Sequence, residues 1–221
     1  MEAGQGGGAM AGLRLVAKGA EADILLDQDW NGVEAIIKRR SEKRYRVPEL
    51  DREIRRSRTI REASMIHRAK EAGVPTPLIY QVSPEEATIV MELVEGDKVR
   101  DIVDRLGEGE RTNLFRTIGE KAGLLHGAGI VHGDLTTSNI IHSSGRVVFI
   151  DFGLGEMSTE TEKRGVDLNL MYRMLTSTHF QHTEELFEAF REGYRATLEE
   201  ADEALERMKE IAKRGRYVER E

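Results

Sequence analysis

The sequence predicts an α+β protein in two lobes, and three observations predict it. Short β-rich runs fill the chain up to Glu95, helical periodicity dominates after Gly96, and the Glu95-Gly96 step between them reads as a hinge. At 221 residues the chain is long enough to bury one large core or two small ones. The partition that follows is residues 1–12 as a Gly-rich flexible tail (MEAGQGGGAMAG), 13–95 as a β-rich N-lobe with one long helix, and 96–221 as a mostly helical C-lobe.

Taken in order, Leu13 to Ala17 and Ala22 to Leu26 are short apolar runs about Lys18-Gly19-Ala20-Glu21, a hairpin pattern. Val33 to Lys38 is a third β-rich run. The charged segment from Pro48 to Ala72 ends at Gly73 and Pro75-Thr76-Pro77. Its apolar spacing is irregular, so the helix is expected near Thr59 to Ala72, after a looser basic lead-in. Leu78 to Val82 and Ala87 to Val94 read as strands joined by a Ser83-Pro84-Glu85-Glu86 turn. Beyond the hinge, Leu114, Ile118, Ala122 and Leu125 recur at helical spacing. Two short β runs follow, Asn139 to His142 and Arg146 to Ile150, and from Gly165 onward the pattern is helical.

Composition narrows the function. Without cysteine there is no disulfide scaffold, thiolate nucleophile or zinc-thiolate site, which suits a reducing, cytoplasmic setting. Basic residues number 33 against 40 acidic ones, a net charge of −7, so the whole molecule does not advertise nucleic-acid binding. Basic clusters at Lys38 to Arg44 and Arg52 to Arg61 could still act locally. No apolar run is long enough to span a bilayer, so no membrane partner is expected.

The chemistry is carried by His132-Gly133-Asp134-Leu135-Thr136-Thr137-Ser138-Asn139, followed by Asp151-Phe152-Gly153. Phosphoryl transfer needs a carboxylate to orient the nucleophile and oxygen ligands for the metal that neutralises phosphate charge. Asp134, five residues before Asn139 on a loop, and Asp151 after an apolar strand supply that set in order. Either half alone is an ordinary polar turn; both together point to a kinase arrangement using ATP and Mg2+. In it Asp134 is the catalytic Asp, and Asn139 and Asp151 are the metal ligands.

Upstream, Ala35-Ile36-Ile37-Lys38 resembles the kinase strand whose lysine meets the phosphates, with Glu62 as its carboxylate partner and Glu53 as the competitor. Lys18-Gly19-Ala20-Glu21-Ala22 is the candidate phosphate loop, poor because it keeps one glycine where kinases have three. Met91-Glu92-Leu93-Val94 reads as gatekeeper and hinge, with the backbone of Glu92 and Val94 facing adenine. What is missing matters as well. Asp151 and Asp167 stand sixteen positions apart, no Ala-Pro-Glu occurs, and 68 residues follow Gly153. A peptide-docking platform of ordinary protein-kinase size has no room. The fold class is therefore a bilobal protein-kinase-like fold with a minimal helical C-lobe.

These pieces, with Ala72-Gly73-Val74-Pro75-Thr76-Pro77, Gly165-Val166-Asp167-Leu168 and Ser177-Thr178-His179, resemble the small atypical serine/threonine kinase of the KEOPS (EKC) complex, which supports threonylcarbamoyladenosine formation on tRNA. The resemblance runs from about Leu13 to Arg216. It implies that Lys38 and Glu62 hold phosphates, that Asp167 braces the loop, and that the protein works mainly as an ATPase switch on the threonylcarbamoyl-transferase subunit. A small second subunit is implied on the N-lobe. The family's tail is usually strongly basic; here Arg214-Gly215-Arg216 leads into Tyr217-Val218-Glu219-Arg220-Glu221, so tRNA contact is expected to be indirect or weak. The rivals are a free-standing serine/threonine or small-molecule kinase, and a pseudokinase scaffold, which would normally have lost one of Lys38, Asp134, Asn139 or Asp151.

Overall fold

The computed structural model describes residues 13–218, with side chains to Arg214; the predicted tail at 1–12 lies outside the described residues. The chain divides into two compact units. Among described residues, the first holds 13–60 and 78–93, the second 61–77 and 94–218. Residues 61–77, placed with the N-lobe by the sequence pattern, group with the second unit.

The first unit is a five-stranded antiparallel sheet. Strands β1 (Leu13–Lys18), β2 (Ala22–Trp30), β3 (Val33–Arg40), β4 (Ile79–Ser83) and β5 (Thr88–Glu92) lie in the order β1-β2-β3-β5-β4. Asn31 and Gly32 close the β2–β3 turn with φ of 51° and 85°, the double left-handed backbone that an Asn-Gly pair accepts at little cost. Leu25, Leu26, Ala35, Ile89 and Val90 are buried in this sheet.

Helix α1 (Pro48–Glu71) begins eleven residues before the expected start, so the basic lead-in is itself helical. Pro48 fits the first helical position because its missing N–H would be unpaired there anyway. What holds this turn is charge rather than an apolar stripe. Arg55 donates to Asp51 at 2.7 Å one turn back, Arg46 reaches the same carboxylate at 3.3 Å, and Arg56 meets Glu85 at 2.8 Å.

The second unit is mostly helical: α2 (Val99–Ile102), α3 (Glu108–Gly127), α4 (Thr161–Thr178), α5 (Thr183–Thr197) and α6 (Ala201–Val218). Two small sheets interrupt the helices. Strands β6 (Asp97–Lys98), β8 (Ile140–Ser143) and β9 (Arg146–Phe149) form one, and β7 (Ile130–Val131) pairs with β10 (Glu156–Met157) in the other. The core joins Phe115 and Ile118 of α3, Leu168 and Met171 of α4, and Phe190 and Tyr194 of α5, all fully buried. Helices α3 and α5 meet at their backbones. A Cβ on Gly119 would stand 2.0 Å from the Phe190 carbonyl oxygen, and one on Gly193 would stand 1.9 Å from that of Arg116.

This close approach is testable. Gly119→Ala and Gly193→Ala should each destabilise the protein by about 1–3 kcal/mol or prevent folding, because a methyl would meet main chain that cannot swing away. Gly109→Ala, on the same helix in open space, should be neutral or stabilise by up to about 1 kcal/mol. Urea unfolding that gave all three the wild-type midpoint would contradict the backbone contact.

Candidate active site

The site is built around residues 132–139, which run from β7 to β8. Gly133 has φ of +79°, and a Cβ there would lie 2.3 Å from the Leu154 carbonyl oxygen, so glycine alone fits both the backbone and the space. Asp167 of α4 is fully buried and holds the start of this loop. Its Oδ2 accepts the His132 N–H at 2.6 Å and its Oδ1 the Gly133 N–H at 2.9 Å, while His126 Nε2 stands 3.3 Å from Oδ2. Three donors around one carboxylate are what allow a charge to stay in the interior.

His132 is fixed next. Its Nε2 donates to the Ile150 carbonyl at 3.2 Å and its Nδ1 accepts the Asp134 N–H at 3.3 Å, which is the bonding pattern of a neutral ring. The ring is fully buried, 4.6 Å from Phe152 by centroid. Burial pushes its pKa below the ordinary imidazole value, against the opposing pull of Asp167, Asp151 and Asp134.

Asp134 and Asn139, five residues apart, are joined directly. Asn139 Nδ2 donates to the Asp134 carboxylate at 2.8 Å and to its carbonyl at 3.0 Å. With the amide nitrogen so engaged, Oδ1 is the side-chain atom that Asn139 would offer to a ligand. Ile150 donates to the Asn139 carbonyl at 2.9 Å, which ties the residue before Asp151 to the loop. Asp151 is exposed and has φ of +61°, a left-handed backbone costing of order 1 kcal/mol for a residue with a Cβ. Its Oδ1 accepts the Gly153 N–H at 3.2 Å. Buried Phe152 and the Ile150 bond pin the chain on either side.

After Gly153 the chain folds straight back. Gly155 donates to the Phe152 carbonyl at 2.9 Å, Glu156 pairs with Val131 and Met157 with Ile130, and Ser158 donates to the Gly129 carbonyl at 2.8 Å. Helix α4 then begins at Thr161. The short segment foreseen from the sixteen-residue spacing is thus an ordered one.

In the first unit, Lys38 lies on β3 opposite Ile24 and Ile89 and is 8% exposed; Ala35 on the same strand is fully buried. Met91 is buried on β5. The Glu92 N–H donates to the Leu78 carbonyl at 2.8 Å and its carboxylate accepts the Leu78 N–H at 2.9 Å. The Glu92 amide is thus already committed within the sheet. In the candidate phosphate loop the Gly19 N–H already donates to the Ala22 carbonyl at 2.9 Å, and Lys43 donates to the Ala20 carbonyl. The Glu21 carboxylate is bound by Arg58 and Arg40, which hold its pKa below the usual range. Lys18 is exposed at the hairpin end. The loop therefore offers an anion fewer amides than its length suggests. In the second unit, Val94 is half-buried and Glu62 is 1% exposed; its competitor Glu53, in the first unit, is exposed.

Pattern reading missed His126 and Tyr194, whose hydroxyl lies 2.7 Å from His126 Nδ1. Nothing local in the sequence marks either. His179 of the Ser-Thr-His triplet is buried at the end of α4, with Nδ1 2.9 Å from Asp104.

No group of three His, Cys, Asp or Glu side chains among the described residues is spaced to hold a metal ion. The oxygens of Asn139 and Asp151 nevertheless suit magnesium. That ion takes one or two protein oxygens and completes its shell with water and nucleotide phosphates rather than with a protein cage.

Compared with known proteins, the chain matches the RIO domain over residues 28–164, a span that takes in Lys38, Glu62, Asp134, Asn139 and Asp151 but stops short of Asp167. It is 44% identical to the KEOPS complex subunit Bud32 of Pyrococcus abyssi, over 94% of this chain and 98% of that one. It is 49% identical to a probable bifunctional tRNA threonylcarbamoyladenosine biosynthesis protein of Methanothermobacter thermautotrophicus, over 92% of this chain and 36% of that longer protein. In structure it is similar to the Rio2 kinase of Chaetomium thermophilum, solved as an ADP/Mg2+-phosphoaspartate complex. The TM-score is 0.63 at 17% identity, covering 91% of this chain and 71% of the other, a likeness of fold alone. Fold and loop thus define a two-lobed, kinase-like protein of the RIO class. Within that class, the chain belongs to the Bud32 family.

The neutral buried His132 sets a pH dependence. The unfolded imidazole titrates near its ordinary value of about 6.5 and the folded one lower. Between those values the unfolded chain binds a proton that the folded chain refuses, so stability falls as pH drops below about 6.5. Urea unfolding between pH 6.5 and 5 should show His132→Asn losing less stability per pH unit than wild type, by up to about 1.4 kcal/mol. Equal slopes would mean that His132 does not titrate differently on folding.

Proposed function

We propose that the chain is a Mg·ATP-dependent serine/threonine kinase and ATPase of atypical kind, acting as a subunit of a KEOPS complex. In this reading, ATP hydrolysis coupled to the threonylcarbamoyl-transferase subunit supports threonylcarbamoyladenosine modification of tRNA. The observation that carries the reading is the hydrogen-bonded set of Asp134 and Asn139, with Asp151 tied in through Ile150 and the loop braced by Asp167.

Each residue has a role that follows from its chemistry. The Asp134 carboxylate, held by Asn139, orients the attacking hydroxyl or water and accepts its proton. Asn139 Oδ1 and the Asp151 carboxylate hold magnesium, which supplies positive charge to the phosphates when bound. Lys38 and Glu62 are assigned to the phosphate end of the nucleotide. Ala35, Met91, the Glu92 carbonyl and Val94 are assigned to the adenine end. The Lys18 to Ala22 turn can cap phosphate only weakly, since its Gly19 N–H is already bonded.

The ordered segment after Gly153 supports control by a partner rather than by phosphorylation of a long loop, because there is no long loop to order. Relatives named as bifunctional, of which this chain spans about a third, support a place beside another activity of the same pathway. The transferase subunit, a small subunit on the first unit and indirect tRNA contact complete the proposed assembly.

In calorimetry, Asp151→Ala and Lys38→Ala should weaken Mg·ATP binding, whereas Asp134→Asn should bind normally and turn over about 10²–10⁴-fold more slowly. Unchanged affinity in the first two, or a loss below about tenfold in the third (about 1.4 kcal/mol), would overturn the assignment. The isolated chain should hydrolyse ATP slowly and speed up when transferase subunit and tRNA are added. Equal rates would favour a free-standing kinase.

A further inference from the structure

A buried chain of polar groups runs from α5 through α3 and α4 to the loop at 132–139. Tyr194 of α5 is fully buried, with its hydroxyl 2.7 Å from His126 Nδ1 of α3. His126, 1% exposed, has Nε2 3.3 Å from Asp167 Oδ2, and the two Asp167 oxygens accept the His132 and Gly133 N–H groups. The direction of each bond depends on the state of its ends. With Asp167 as a carboxylate, His126 Nε2 donates to it; with the imidazole neutral, Nδ1 is an acceptor and the Tyr194 hydroxyl donates to it. Burial pushes the Tyr194 phenol above its ordinary pKa, which keeps that donor protonated.

The packing makes this geometry specific. A Cβ on Gly123, one turn before His126, would stand 2.1 Å from Thr197 Oγ1 and 2.9 Å from the Tyr194 carbonyl oxygen. Only helices in backbone contact bring Tyr194 this near. Arg164, buried on α4, donates to the His126 carbonyl at 3.1 Å and so steadies the backbone under the ring.

We infer that Tyr194 and His126 are positioning residues for the loop that carries Asp134, acting through Asp167 on the His132 and Gly133 amides. This rests on the phosphotransferase reading above for its effect on turnover, but not for its effect on the amides. His126 supplies Asp167 with its third donor, and Tyr194 locks the tautomer that makes His126 a donor. Without that donor the carboxylate can shift toward other partners, and the two amides lose a fixed acceptor.

The test uses the full chain with His126→Leu, His126→Gln and Tyr194→Phe. Leucine removes the donor, glutamine keeps an N–H for Asp167, and phenylalanine removes only the hydroxyl. Amide hydrogen exchange at His132 and Gly133 should quicken by about tenfold in His126→Leu and by about threefold in Tyr194→Phe. Amides inside α3 and α4, such as Phe115 and Met171, should keep wild-type protection. Turnover should fall in parallel, while KM for ATP stays within about twofold of wild type, and His126→Gln should recover most of the losses in exchange protection and turnover. Wild-type exchange at both loop amides in His126→Leu would overturn the inference. So would wild-type exchange in Tyr194→Phe should the leucine variant not fold, or a glutamine variant no better than leucine. If the wild-type chain neither binds nor hydrolyses ATP, the phosphotransferase reading fails while the exchange data still decide the positioning role.

Discussion

A carboxylate with no exposed surface is unstable unless donors surround it, and Asp167 meets that condition with the His126 ring and by fixing the backbone of His132 and Gly133. Much of the second unit's local geometry depends on this interaction. With those two amides held, the His132 ring lies where it can bond both Ile150 and Asp134, and the chain leaves Gly133 in a left-handed turn against Leu154. Asp134 and Asn139 then face each other at hydrogen-bond distance. Asp134, Asn139 and Asp151 are exposed or half-buried, while His132 and Asp167, which fix the loop, are buried. That division is how a site remains open to ligand and still keeps one geometry.

The grouping of Asp134, Asn139 and the strand that leads to Asp151 was legible in the sequence because it depends on local spacing: five residues within one loop, then a strand, then the last carboxylate. The two lobes were legible for the same reason, since β-rich and helical periods change over within a few residues of Gly96. Helix α1 was legible only in its second half. The first half is held by Arg55, Arg46 and Arg56 on carboxylates, and ion pairs leave no hydrophobic period to read. The Asn31-Gly32 turn did carry a readable signal, the dipeptide itself, although the strands on either side were found without it.

Other parts could not be read along the chain. Strands β6, β7 and β10 are two residues each and α2 is four, too short for any period to show. His126 and Tyr194 are 68 residues apart, and His126 and Asp167 are 41 apart. Only the folded packing of three helices makes them neighbours, and a histidine or tyrosine inside a helical pattern looks like any other half-polar core residue. The weakness of the Lys18 to Ala22 turn was partly legible from its single glycine. That the glycine's own N–H is already committed to Ala22 was not.

The β7–β10 pairing has a consequence for small-molecule inhibition. Compounds that work by displacing the phenylalanine after a metal-binding aspartate need that side chain to leave its pocket and the following segment to move with it. Here Phe152 is fully buried against His132, Gly155 is bonded to it, and the next three residues are zipped onto Gly129, Ile130 and Val131. With so few residues before α4 there is no slack to absorb the displacement. Such compounds would have to unzip a sheet and uncover an aromatic core at once, so ligands selective for this protein are better sought among those that leave Phe152 where it is.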